Sequence, residues 1–222
     1  LNTLTFGNQK KSDVLIIKIT KKGDCLKIFI NMNNKIIDLE IRDLNIYNVL
    51  ASIAVLQVLK IDIKKIKAKL KNFESPEGRG KKYSIIRYKK KFNLIDESYN
   101  ANPLSVKNAI SKLNLIKKEK FKKYLILGDM LELGSKSNKY HEQLSKVINN
   151  SDIDKVFIKG KKTIFTYKQL NKNKRGNILQ DNEDIDISLR EMISNNDHLM
   201  IKGSNATGLN DFSKKRIRGI SV

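Results

Sequence analysis

From residue 83 onward, short apolar runs alternate with segments of helical period, and this alternation limits the fold more than any other feature. Residues 83–88, 92–95, 124–127, 155–158 and 198–201 are rich in β-branched, aromatic and other apolar side chains, and each run is too short for a buried helix. Between them, residues 103–115, 138–148, 161–170 and 183–194 place apolar side chains three and four apart. Short apolar strands alternating with helices predict α/β architecture, a mostly parallel sheet covered on both faces. Polar or glycine-rich clusters close the strands at residues 96–102, at Gly128-Asp129, at Gly160 and at Lys202-Gly203-Ser204. Ligands of such sheets bind outside the carboxyl ends of the strands, so function is expected in these clusters.

The first part of the chain has a different period. Residues 14–19, 25–30 and 36–41 are strand-like, and Lys22-Gly23-Asp24 and Asn31-Met32-Asn33-Asn34 separate them, which predicts an antiparallel meander. Residues 45–59 predict a largely buried helix carrying Ile46, Val49, Leu50, Ile53, Ala54, Leu56 and Val58. A second helix is expected from Asp62, its N-cap, with Ile63, Ile66, Ala68 and Leu70 on one face. Residues 74–82 hold one of the two prolines and two glycines and read as a linker.

The formal net charge of +22 invites a nucleic-acid reading. The basic residues are 38 lysines and only seven arginines, and they are scattered, as in Lys64-Lys65, Lys81-Lys82, Lys117-Lys118 and Lys161-Lys162. Together with abundant Asn and Ile, whose codons are AT-rich, this predicts solvated lysine surfaces and no nucleic-acid partner. A basic nucleic-acid-binding domain is the weaker alternative, because aromatics are 7% of the chain and no RNP-like motif occurs. No run approaches the roughly 18–20 apolar residues of a membrane span. The one cysteine, Cys25, cannot form an internal disulfide, which suits a reducing compartment and predicts a cytoplasmic location. The chain opens on Leu1 rather than Met and is expected to be part of a longer polypeptide.

The clusters carry the chemistry. Asp96-Glu97-Ser98-Tyr99-Asn100-Ala101-Asn102-Pro103 gathers two carboxylates, two carboxamides, a hydroxyl and a phenol in one strand-to-helix loop. Burying these groups without a ligand would be costly. The plainer alternative is turn chemistry, with Asn102 capping a helix at Pro103. In Gly128-Asp129-Met130-Leu131-Glu132-Leu133-Gly134, Asp129 and Glu132 could orient a lysine or a metal, or simply be solvated. Lys202-Gly203-Ser204-Asn205-Ala206-Thr207-Gly208 could present N–H groups and a lysine to an anion. No G-x-x-x-x-G-K-[ST] phosphate loop occurs. His141 and His198 have no metal-spaced partner and read as structural or surface residues.

In this order, the segments Leu94 to Pro103 and Leu127 to Gly134, then His141 and Lys202-Gly203-Ser204, resemble the Mur ligase family. Asn45-x-x-Asn48-x-x-Ala51 and Gly78-Arg79 fall where that family has similar elements, so the resemblance covers essentially the whole chain. It implies the end of a central ATP-binding domain at residues 1–80 and a Rossmann-like C-terminal domain at residues 81–222. ATP and Mg2+ are the implied cofactors. The UDP-sugar domain, the phosphate loop and most Mg2+ ligands are expected upstream, and no residue of this chain is expected to ligate metal.

The implied reaction is ATP-driven amide formation through an acyl phosphate. The resemblance is strongest to the branch that joins D-alanyl-D-alanine to UDP-N-acetylmuramoyl-tripeptide, a step of peptidoglycan precursor synthesis. Another Mur-type or folylpolyglutamate-type ligase is the alternative. The resemblance also implies a monomer, and a chain inactive by itself.

Carried over residue by residue, Asn48 resembles the asparagine that bonds adenine and Arg79 the arginine on the phosphates. Asp96 and Glu97 match the acidic pair at the nucleotide, and Tyr99 and Asn100 continue that loop. Asn102, Asp129, Lys202 and Ser204 are the implied substrate-binding positions, with Lys202 suited to the dipeptide carboxylate. Arg79 and Lys202 are the implied catalytic pair. Glu97 stands where many relatives have Asp, Asn205 where arginine is frequent, and Leu44 where histidine often begins the helix motif.

Overall fold

The computed structural model describes residues 3–219 apart from Asp24, Asp43, Lys118 and the side chain of Arg216. The expected turn residue Asp24 and the second lysine of Lys117-Lys118 thus lie outside the described residues. The chain divides into two compact units, Leu1–Ser75 and Pro76–Val222.

The first unit is a four-stranded sheet in the order β1 (Phe6–Gly7), β2 (Val14–Lys22), β3 (Cys25–Met32), β4 (Lys35–Ile41). The last three strands form the expected antiparallel meander, and β1 adds a short parallel edge. Asn33 and Asn34 close the β3–β4 hairpin with φ of 51° and 59°, a backbone region asparagine tolerates well. Helix α1 (Ile46–Val58) starts at Asn45, whose side chain accepts the Tyr47 and Asn48 N–H groups. It buries Val49, Leu50, Ile53 and Ala54 against Val14, Ile28, Ile30, Leu39 and Ile41. The expectation of a largely buried α1 fails, because Tyr47, Val55, Val58 and Leu59 are exposed and only one face packs on the sheet. Helix α2 (Lys64–Lys71) begins two residues after Asp62, whose carboxylate still accepts the Lys64 N–H at 2.9 Å. Ile63 is buried at its start, whereas Ala68 is exposed.

The second unit is a six-stranded sheet with helices on both faces, the expected α/β arrangement. Its strand order is β5 (Lys81–Arg87), β6 (Lys90–Glu97), β10 (His198–Lys202), β7 (Lys123–Gly128), β8 (Lys155–Lys159), β9 (Arg175–Leu179). Only β5 runs antiparallel, joined to β6 by Tyr88-Lys89 with φ of 53° and 58°. All other pairings are parallel. Leu125 and Leu127 of β7 face a core built with α3 (Pro103–Asn114) and α4 (Ser137–Asn149). Tyr124 and Ile126 face the opposite core, built with α6 (Asn182–Met192) and the C-terminal helix α7. Burial of both faces explains why the central strands read as unbroken apolar runs. Each such side chain contributes roughly 1.5–3 kcal/mol by leaving water.

Helix α5 (Thr163–Lys168) is shorter than the expected 161–170. Helix α7 starts at Leu209–Asp211 and continues as a π-helical turn over Phe212–Ile217. Neither α7 nor β9 was expected. Strand β9 carries Arg175 and Asn177 among its apolar residues, as suits an edge. The expected linker is largely part of the second unit. Gly80 N–H already donates to Asp96 O at 2.7 Å, and β5 begins at Lys81, so the division falls after Ser75 rather than after Gly80.

Not every lysine is solvated. Lys123 is fully buried, and its ammonium donates to Asp152 at 2.7 Å and to the Asn114 and Ile116 carbonyls at 3.2 and 2.5 Å. Lys174 and Lys202 are also buried. Among the described residues, no helix is long and apolar enough to cross a membrane.

Candidate functional site

Strand β6 runs two residues past its expected end, so Asp96 and Glu97 leave a strand rather than a loop and point to opposite faces. Asp96 is fully buried. Its Oδ1 accepts the Ser98 N–H at 3.2 Å and the Ser98 hydroxyl, whereas Oδ2 is buried with no hydrogen-bond partner. A buried carboxylate oxygen left unpaired is costly, and it marks this strand end as one built around something beyond packing. Beside it, Gly78 adopts φ of +71° and Gly80 φ of +97°. Gly78 O accepts the Tyr99 N–H at 3.0 Å. These bonds lay the 78–80 turn on the end of β6 and present Arg79 outward, its guanidinium 4.4 Å from the centroid of the Tyr99 ring. Arg79, Tyr99 and Asn100 are all exposed.

Lys202 closes the floor of this cluster. It is 2% exposed, and its ammonium donates to Asn100 O and, at 3.4 Å, to Glu97 O. The Glu97 carboxylate lies 3.8 Å away. Burial pushes the Lys202 ammonium below the usual lysine range, opposed by Glu97. The structure sets this charge against the backbone of the 97–100 loop. Asn102 takes the capping alternative: its side chain accepts the Ser105 N–H at 2.8 Å, and the Ser105 hydroxyl accepts the Asn102 N–H at 3.0 Å.

Asp129, at the end of β7, is likewise committed. Its carboxylate accepts the Thr163 N–H at 2.7 Å and the Lys162 N–H at 3.0 Å, capping α5. Gly160 permits it, because a Cβ there would lie 2.4 Å from the Asp129 carboxyl carbon. Ser204 ties the neighbouring loops together. Its N–H donates to Asp129 O at 3.1 Å, and its hydroxyl accepts the Leu131 N–H at 3.1 Å and donates to Ala101 O at 3.5 Å. His141 is fully buried, accepts the Met130 N–H through Nε2 at 2.9 Å and donates through Nδ1 to Ser137 O at 2.8 Å. Both bonds require a neutral ring, and burial pushes its pKa below the usual histidine value.

Of the candidate residues, Arg79, Asp96, Glu97, Tyr99, Asn100 and Lys202 form one cluster, which Ser204 connects through Ala101 to Asp129. Asn102 stands beside it at the start of α3. Asn48 lies in the first unit, on the exposed side of α1. Sequence reasoning missed Asn210, which is 4% exposed and donates to Ser98 Oγ at 3.0 Å. Its only signal was its place two residues after Gly208, in a stretch not recognised as helical. Among the described residues, no group of three or more His, Cys, Asp or Glu is placed to hold a metal ion.

Residues 83–205, more than half of the chain, match the family described as Mur ligase, glutamate ligase domain. The chain belongs to this Mur ligase family. Its relatives include the UDP-N-acetylmuramoyl-tripeptide–D-alanyl-D-alanine ligase of Rickettsia prowazekii, 26% identical over 94% of this chain and 46% of that protein. The enzyme of the same name from Bacillus subtilis is 30% identical over 62% of this chain and 31% of that protein. Among solved structures, the MurF ligase from Thermotoga maritima in complex with ADP superposes with a TM-score of 0.73 at 20% identity, over 95% of this chain and 47% of that one. A bifunctional folylpolyglutamate synthase/dihydrofolate synthase from Yersinia pestis gives 0.60 at 14% identity, over 84% of this chain and 43% of that one. These two likenesses establish the Mur ligase fold. The chain spans less than half the length of each of these relatives.

Proposed function

We propose that this chain supplies the closing half of an ATP-dependent ligase that joins D-alanyl-D-alanine to UDP-N-acetylmuramoyl-tripeptide. In this reading the first unit, residues 1–75, ends the ATP-binding domain and the second, residues 76–222, is the C-terminal domain. The observation that carries it is the rim at the end of β6: an exposed Arg79 over the Tyr99 ring, beside a buried Asp96 with one unpartnered acceptor oxygen. A planar, permanently charged fork suits phosphate oxygens, and a carboxylate acceptor suits sugar hydroxyls. The names of the relatives supply the substrates of the proposal.

In the reaction, the tripeptide carboxylate attacks the γ-phosphorus, ADP leaves, and the dipeptide amine displaces phosphate from the acyl phosphate. Arg79 neutralises phosphate charge in this scheme. Tyr99 and Asn100 shield the nucleotide, Asp96 or Glu97 receives the ribose, and Asn48 bonds adenine. Lys202, Asp129 and Ser204 hold the loops that receive the dipeptide, with Asn102 at their edge. Mg2+ is assigned no ligand among the described residues in this reading and would supply neutralisation of phosphate charge when bound. A monomer working in the cytoplasm, where ATP is consumed, completes the proposal.

The test is a phosphate-release assay with tripeptide and dipeptide, run on the complete ligase that carries these residues. Arg79→Ala is expected to lower kcat/KM by about 10² or more, as for other charge-stabilising groups; unchanged kinetics would remove its phosphate role. The 222-residue chain alone, which lacks the phosphate-loop sequence, is expected to release none.

A further inference from the structure

The residues that grip the turn carrying Arg79 include Asn210, Ser98 and Arg218, to which the proposed function gives no role. A Cβ at Gly78 would lie 2.7 Å from Asn210 Nδ2 and 2.8 Å from Tyr99 Cβ, so the buried Asn210 amide and the Tyr99 stem together leave room for glycine only. Asn210 Nδ2 donates to Ser98 Oγ at 3.0 Å, and the Ser98 hydroxyl donates in turn to Asp96 Oδ1. Ser98 and Asp96 are fully buried. Because Ser98 gives its one proton to Asp96, it can only accept from Asn210, and the direction of the relay is fixed. Arg218, the residue just past the end of the same helix, holds the residue before Gly78: its Nη1 donates to Glu77 Oε1 at 2.9 Å and to the Tyr83 hydroxyl at 2.7 Å. Helix α7 therefore grips the turn at Glu77 and Gly78, while β6 grips it at Gly80.

We propose that Asn210 is a positioning residue for Arg79: through Ser98 and Asp96 on one side and Gly78 on the other, it fixes the turn that sets Arg79 across Tyr99. Asn210 touches no ligand in this role. The proposal rests on the reading of Arg79 as the phosphate residue. It adds that the C-terminal helix, far along the chain from Arg79, sets the enzyme's hold on ATP.

The experiment measures kcat and the separate KM values for ATP and for D-alanyl-D-alanine in the complete ligase. Variants are Asn210→Ala, Asn210→Asp, Ser98→Ala, Arg79→Ala and the Asn210→Ala/Arg79→Ala double, each with its thermal midpoint. Asn210→Ala is expected to raise the KM for ATP roughly tenfold or more, since small misplacements of a binding group carry losses of that order, with the dipeptide KM within twofold. Asn210→Asp keeps the shape and loses the donor, and is expected to match it; Ser98→Ala cuts the relay and is expected to raise the same KM. In the Arg79→Ala background, Asn210→Ala is expected to add less than twofold, because both changes remove one interaction.

A residue that only stabilises the fold would lower the midpoint and the active fraction and leave the KM for ATP alone. That outcome, with Arg79→Ala still raising the KM, overturns the positioning role and spares the reading of Arg79. Unchanged kcat and KM in Arg79→Ala overturn that reading and the proposal with it.

Discussion

Asp129 and Gly160 are expected to fail together. The Asp129 carboxylate takes the Thr163 N–H at 2.7 Å and the Lys162 N–H at 3.0 Å, and Thr163 is fully buried. Asp129→Ala removes a helix cap, at about 0.5–2 kcal/mol. It also strands a buried donor, at about 1–3 kcal/mol. The sum is about 1.5–5 kcal/mol. For a unit of this size each kcal/mol moves Tm by about 2–4 °C, so a drop of about 3–20 °C is expected. Asp129→Asn keeps an acceptor in the same shape and is expected to cost about 1 kcal/mol.

Gly160→Ala acts from the other side. Its φ of +129° disfavours any Cβ, and that Cβ would meet the Asp129 carboxylate at 2.4 Å. Strain of about 1–3 kcal/mol and displacement of the cap follow. Because both substitutions break the same cap, the double variant is expected to be more stable than the sum of the singles by at least 0.5 kcal/mol, a coupling expected of groups in contact. Urea melts of the four proteins measure this. Additive losses, or an Asp129→Ala protein of unchanged stability, would refute the capping role.

Three further outcomes follow from the geometry. Lys123→Ala strands the Asn114 and Ile116 carbonyls, and is expected to cost about 2–3 kcal/mol in urea melts, with Lys123→Met losing less because its stem still packs; the remaining Asp152 is 38% exposed, which limits the loss. Burial lowers the pKa of both His141 and His198, so the unfolded chain binds more protons near pH 6 and stability is lost as pH falls below about 6.5; His141→Gln is expected to shallow that slope in melts at pH 5–8, and an unchanged slope would contradict the neutral buried ring. Filter binding to DNA or RNA at physiological salt is expected to show only weak, salt-sensitive retention in the roughly 10⁻⁴–10⁻⁶ M range, and specific nanomolar binding would defeat the ligase reading.

The strands that were easiest to read are those buried on both faces: residues 124–127, 156–158 and 199–201 contain no charged or hydrogen-bonding position outside Tyr124 to confuse the period. Strand β9 and helix α7 were illegible for the opposite reason. Arg175 and Asn177 interrupt β9 because an edge strand meets water. In α7, Asn210, Ser213, Lys214 and Lys215 break the apolar stripe that Leu209, Phe212 and Ile217 form in the core. Buried polar groups were the hardest to foresee. Nothing in a one-dimensional string separates Lys123 or Lys202, whose ammonium groups are spent on backbone carbonyls, from the solvated lysines around them. The same holds for Asp129: a carboxylate after a strand reads alike whether it faces a ligand or a helix start 34 residues later.

That distinction reshapes the site. Residue types marked these loops as chemical, and the structure divides them into holders and presenters. Ser204, Lys202, Asp129, Ser98 and Asn210 are buried and bonded inward, joining the ends of β6, β7, β8 and β10 into one rim. Arg79, Tyr99, Asn100, Leu131, Glu132 and Asn205 remain exposed above it. A rim fixed this way keeps the presenters in place without a ligand, so binding need not also order the loops. It follows that substitutions among the holders should change stability and geometry together, whereas substitutions among the presenters should change affinity alone. Asn205, which stands where arginine is frequent in the family, is then the presenter whose exchange to arginine should alter ligand affinity with the least effect on stability.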